Sequence, residues 1–139
     1  MENMENEIIK ESNNNIQNVD LNPKGKETKE ERTNRIAAIK AKYGKIYSIS
    51  TELIEDDSNS KEVEYIFKKP NTASYDRYVK TASKGMTKAL QAFLLDNVIA
   101  EYEEQLTNDI EEYPALTLGI GQKLLAILGL SDNVNLMRP

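Results

Sequence analysis

Tyr47-Ser48-Ile49-Ser50-Thr51-Glu52-Leu53 and, after a short acidic interval, Val63-Glu64-Tyr65-Ile66-Phe67-Lys68 are the runs on which the fold turns. In the first, Tyr47, Ile49, Thr51 and Leu53 alternate with Ser48, Ser50 and Glu52; in the second, Val63, Tyr65 and Phe67 alternate with Glu64, Ile66 and Lys68. A period of two sends successive side chains to opposite faces, so each run predicts a half-buried strand. The interval Glu55-Asp56-Asp57-Ser58-Asn59-Ser60 is rich in turn formers, and the whole predicts an antiparallel hairpin. Its acids lack the Gly and distal Glu of an EF-hand loop, which argues against calcium. A lone two-stranded hairpin is marginal in water, so its apolar face calls for a cover of helices.

Those helices are read on both sides. Downstream, Pro70 has no N–H to give a ladder, and Asn71 or Thr72 can cap a helix. Tyr75, Tyr78, Val79, Ala82, Met86, Ala89, Leu90, Phe93 and Leu94 then recur at three- and four-residue steps. They predict one long amphipathic helix over about 73–95 with Gly85 inside it, as a close approach by another backbone or a tolerated defect. The stretch Leu94–Ile99 either kinks this helix or ends it and starts another. Leu106, Ile110 and Tyr113 give an acidic helix its apolar face. Pro114 suits the first turn of a last helix bearing Leu116, Ile120, Leu124, Ile127 and Leu128, with Gly129 as a stop. Upstream, Thr28 followed by Glu31 forms a capping box, and Ile36, Ile39 and Tyr43 continue a helix over 29–43 that Gly44 can end. Before it, seven of the first 22 residues are Asn and none is aromatic, the composition of a disordered tail. The expected fold is α+β, mainly α: one antiparallel β-hairpin packed against three to five helices. It comprises a disordered tail over 1–28, a single domain over 29–132 and a flexible tail over 133–139.

The 139 residues include no His, Cys or Trp. That removes thiol nucleophiles, disulfides, imidazole bases and the usual zinc and iron–sulfur ligands. Gly119-Ile120-Gly121 resembles half of a phosphate loop, but no strand precedes it, Leu124 stands where a third Gly belongs, and no Lys-Ser or Lys-Thr follows. No catalytic residue, cofactor or metal ligand is expected, and the reading is of a protein that is not an enzyme. No apolar run approaches the roughly 20 residues of a membrane span. Met1-Glu2-Asn3-Met4-Glu5 lacks a signal peptide's basic start, so a cytoplasmic protein is expected.

The net charge of −5 hides a division. Residues 71–95 carry Arg77, Lys80, Lys84 and Lys88 against Asp76 alone, a net of +3. Residues 96–113 carry seven acids and no Lys or Arg, a net of −7; these acids fall all round their helix and read as a solvated face. The four cations step by 3, 4 and 4, so on one long helix they line one side, with Tyr75 and Tyr78 flanking its start. These six residues are the candidate partner-binding set. The stripe can pair with the acidic segment as an electrostatic seam, within one chain or through self-association, stand as a plain solvated face, or offer a nucleic-acid surface.

The passage Tyr65-Ile66-Phe67-Lys68-Lys69-Pro70-Asn71-Thr72-Ala73-Ser74-Tyr75-Asp76-Arg77-Tyr78 resembles the strand, Phe-Lys-x-Pro, helix passage of tail assembly chaperones of long-tailed phages and prophages. The ending from Glu112-Tyr113-Pro114-Ala115-Leu116 to Leu124-Leu125-Ala126-Ile127-Leu128-Gly129-Leu130 is also similar, and the likeness spans about residues 40–132. It implies a small non-enzymatic protein of the bacterial host cytoplasm. Such a protein binds the long, aggregation-prone tape-measure protein and recruits tail-tube subunits. The Asn-rich extension departs from the simplest members. The alternatives are a tail or baseplate component kept in the particle, and a small phage-encoded regulator that binds nucleic acid through the basic helix.

Overall fold

A computed structural model describes residues 19–23 and 25–129. Of the tail expected over 1–28, residues 1–18 and 24 lie outside the described residues, as does the whole tail expected over 133–139. The chain divides into two compact units, Met1–Ile46 and Tyr47–Pro139, a boundary inside the span 29–132.

In the first unit, helix α1 (Lys29–Tyr43) is set by its ends. Thr28 Oγ1 accepts the Glu31 N–H at 3.1 Å, as the capping box requires. Glu30 and Glu31 in the first turn and Lys40 and Lys42 in the last complement the helix dipole. Gly44 closes it at φ +81°, a conformation that favours glycine, its N–H donating to the Lys40 carbonyl at 2.8 Å. Glu27, just before the cap, receives a forked pair from Arg35, Nε at 3.0 Å and Nη2 at 2.6 Å.

From Tyr47 on, the second unit holds the hairpin, β1 (Ile46–Ile54) and β2 (Ser60–Lys68), paired antiparallel as the alternation predicts. Its polar face is laced across the strands by Ser48 donating to Glu64 and Ser60 donating to Glu52. One loop acid turns inward on its own backbone, while Glu55 lies 3.8 Å from Lys61 Nζ. Asp56 Oδ1 accepts the N–H groups of Ser58 and Asn59, both at 2.8 Å, and Oδ2 accepts Asn59 Nδ2 at 3.0 Å. Those donors hold the Asp56 carboxyl below its ordinary pKa. Ile49, Leu53, Tyr65 and Phe67 are buried, as the period requires. Ile66 is buried too, against the alternation. The cause is a third lane that the sequence did not reveal: Val98 bridges Phe67 in antiparallel sense, and the Ile99 N–H donates to the Ile66 carbonyl at 3.0 Å.

Four helices follow: α2 (Thr72–Ala82), α3 (Met86–Asn97), α4 (Ala100–Glu112) and α5 (Leu116–Ile127). The single helix expected over 73–95 is therefore two. The chain reverses through Ser83–Gly85, where Lys84 N–H donates to the Thr81 carbonyl and Gly85 N–H to that of Ala82. Continuous apolar spacing had hidden the break, because α3 folds back so that both apolar faces meet. Tyr78 packs on Phe93 with ring centroids 5.4 Å apart and the ring planes tilted by 38°, and Asn97 Nδ2 donates to Ser74 Oγ at 2.9 Å. Gly85 is extended at φ 168°, with open space where a Cβ would go. The close approach belongs to Gly121 instead, where a Cβ would lie 2.8 Å from Leu90 Cδ2. Both Gly119 and Gly121 sit within α5, so the half phosphate loop does not exist. Pro114 falls in the turn before α5 rather than in its first turn.

The core gathers Leu90, Phe93 and Leu94 of α3, Tyr102 and Leu106 of α4, Ile120 and Leu124 of α5, and the β2 residues Tyr65 and Phe67. α4 is joined to β2 by a polar bond: Tyr65 Oη donates to Asp109 Oδ2 at 2.6 Å. Asp109 thus leaves the solvated acidic face expected of this helix. Burial, and then the Asp109 carboxylate, push the Tyr65 hydroxyl well above the ordinary tyrosine range. No helix among the described residues is long and apolar enough to cross a membrane.

Candidate functional site

Splitting the long helix breaks the basic stripe. Arg77 and Lys80 lie on α2, Lys84 in the turn and Lys88 on α3, so the spacing of 3, 4 and 4 no longer traces one helix side. Among the described residues, the expected seam between the basic and acidic segments is reduced to one contact, Arg77 Nη2 to Asp96 Oδ2 at 3.1 Å. Both of its side chains are largely exposed, and such a pair contributes about 0–1 kcal/mol. Lys80, Lys84 and Lys88 are exposed and carry no ion pair among the described residues.

The tyrosines separate as well. Tyr78 is half-buried against Phe93 and holds α2 to α3. Tyr75 is 43% exposed, its ring 6.4 Å from that of Tyr78. One turn further along α2, Val79 is 50% exposed. Among the candidate residues, Tyr75 is thus the aromatic ring left available at the surface.

Tyr75 also forms one wall of an open groove of about 620 Å³. The floor and near wall are Lys69, Pro70, Asn71 and Thr72, and the far wall is Leu125, Leu128 and Gly129 at the end of α5. Local chemistry builds this corner. Pro70 ends the ladder and is itself buried. Asn71 Oδ1 then accepts the Ser74 N–H at 2.8 Å, which fixes the start of α2. At the far wall Gly129 takes φ +108° and closes α5. Sequence patterning named Tyr75 but missed Leu125 and the groove, because the two walls lie some fifty residues apart in the chain.

No group of three acids able to hold a metal occurs among the described residues. The one buried hydroxyl without a hydrogen-bond partner among them, that of Thr117, is not part of the groove wall. What the surface presents is apolar contact area, an aromatic edge and unpaired cations, which suit binding.

Residues 39–137 match the family model of a domain of unknown function, DUF6848, and the chain belongs to that family. Among solved structures it is similar to the uncharacterised protein rbstp2171 from Bacillus stearothermophilus. The two share 27% sequence identity and a TM-score of 0.62, over 73% of this chain and 99% of that one. No curated protein matches the chain.

Proposed function

We propose that this protein is a phage or prophage tail assembly chaperone, a non-enzymatic protein of the host cytoplasm. It binds the tape-measure protein and recruits tail-tube subunits to it. The observation that carries the reading is the Tyr65–Tyr78 passage, whose likeness to those chaperones falls on the corner that builds the candidate surface. There β2 ends at Lys68, Pro70 is buried, Asn71 caps α2, and Tyr75 faces outward over the groove. A chaperone for a long client needs repeated, weak and reversible contact, and an exposed apolar ridge among cations supplies it.

Co-expression with the tape-measure protein of the same locus tests the reading. The expected result is a higher soluble yield of that protein and its co-purification with this chain. No gain and no co-purification would overturn it. Purified particles should contain little or none of the chain, whereas a stoichiometric amount would identify a structural tail component.

A further inference from the structure

The exposed flank of α2 and the groove it borders share a chemistry that narrows the partner. Five large hydrophobics stand exposed among the described residues, and three of them, Tyr75, Val79 and Met86 (57% exposed), belong to α2 and the first residue of α3. The same stretch is strongly basic: residues 68–88 hold Lys68, Lys69, Arg77, Lys80, Lys84 and Lys88 against Asp76 alone. Arg77 is taken by Asp96, and the five lysines carry no ion pair among the described residues. Apolar exposure and uncompensated positive charge therefore coincide, in a chain whose net charge is −5.

We propose that this surface docks an acidic amphipathic helix of a partner protein, its apolar stripe laid along Tyr75 and Val79 into the groove against Leu125 and Leu128. The inference rests on the client-binding reading above and names the chemistry of the bound segment. Tyr75 and Val79 are one helical turn apart, so they form a ridge along α2 that a second helix can follow. The groove between the start of α2 and the end of α5 receives the helix's larger side chains. Its acids lie toward Lys69, Lys80 and Lys84. Asp76, next to Tyr75 on the same helix, opposes them and sets where along the rim an acid is excluded. Nucleic acid fits less well, because Val79, Met86 and the groove leucines offer nothing to phosphate.

The absence of Trp makes a direct test available. A synthetic helical peptide with leucines at three- and four-residue spacing, flanking glutamates and one Trp is titrated with the full chain, following the peptide's Trp emission. A twin carrying lysine in place of each glutamate is the control. The acidic peptide is expected to bind, more weakly as salt rises, and the lysine twin to bind at least about tenfold less well. Val79→Asp, and separately Lys80→Glu with Lys84→Glu, should each weaken the acidic peptide about tenfold with unchanged circular dichroism. All three positions are exposed, so folding is retained.

Equal binding of the two peptides, no binding at millimolar concentration, or indifference to both variants would each overturn the surface. It would also be overturned by duplex DNA or anionic vesicles binding in the peptide's stead with the same variant sensitivity. The same holds if a peptide of residues 130–139 fills the groove in that way. Tape-measure co-purification that survives Val79→Asp and the double lysine variant would keep the chaperone reading and remove this surface from it.

Discussion

Helices α2 and α3 come from one unbroken apolar pattern, yet they spend it differently. α3 buries Ala89, Leu90, Phe93 and Leu94, while on α2 the sole buried residue is Ser74. α2 is held by a few directed contacts: Ser74 to Asn97, Arg77 to Asp96, and Tyr78 on Phe93. α3 is held by area, against α2 on one side and α5 on the other. A hydrophobic residue at helical spacing thus has two fates, and the neighbour across the fold decides between them. Where α5 approaches, at Gly121 over Leu90, the apolar residues become core; where it ends, at Gly129, they are left as a surface.

Removing core contact from α3 should have the largest effect. Leu90→Ala is expected to cost about 2–5 kcal/mol in urea unfolding, because Leu90 is 2% exposed and fills the space that Gly121 leaves. Combined with Gly121→Ala the two should not add. Alone, the new methyl must displace the packed Leu90 side chain; in the Leu90→Ala background it occupies vacated space and gains about 1 kcal/mol of helix propensity. Strict additivity would show that the two helices do not meet there.

The polar bond between β2 and α4 comes next. Tyr65→Phe should cost about 1–2 kcal/mol, since it deletes a hydrogen bond to a carboxylate. It also carries a pH signature. The Tyr65 hydroxyl is raised in the fold, so its contribution is fully present below the unfolded tyrosine value of about 10 and is lost as pH rises past it. Denaturation midpoints of wild type should fall above that pH more steeply than those of Tyr65→Phe, and parallel curves would refute the assignment.

The smallest effect belongs to α2's outer flank. Val79→Ser should change stability by no more than about 0.5 kcal/mol, because the side chain is already half in water. A loss comparable to that of Leu90→Ala would mean that Val79 is core and that the contrast between the two helices is wrong.

Much of this was legible along the chain. The hairpin, the Thr28 cap, the helix over 29–43 and the Asn71 start of α2 depend on neighbours within a few residues, and local patterning reported them. The reversal at Ser83–Gly85 was not legible, because two helices folded face to face keep the same apolar spacing as one. The groove was half legible: Tyr75 belongs to a motif, but its opposite wall comes from α5. The charge division was readable in full, though the single Arg77–Asp96 contact shows that opposite charge in adjacent segments does not make them pair.

Apart from the reversal at Ser83–Gly85, residue order alone determined which segments are helix and which are strand, because caps, turn formers and apolar period act over one or two turns of chain. It also determined the absence of thiol and imidazole chemistry. Tertiary structure alone decided which apolar residues become core and which remain surface. That choice depends on whether another element arrives opposite, as Gly121 brings α5 to Leu90 and as Gly129 ends it beside Tyr75.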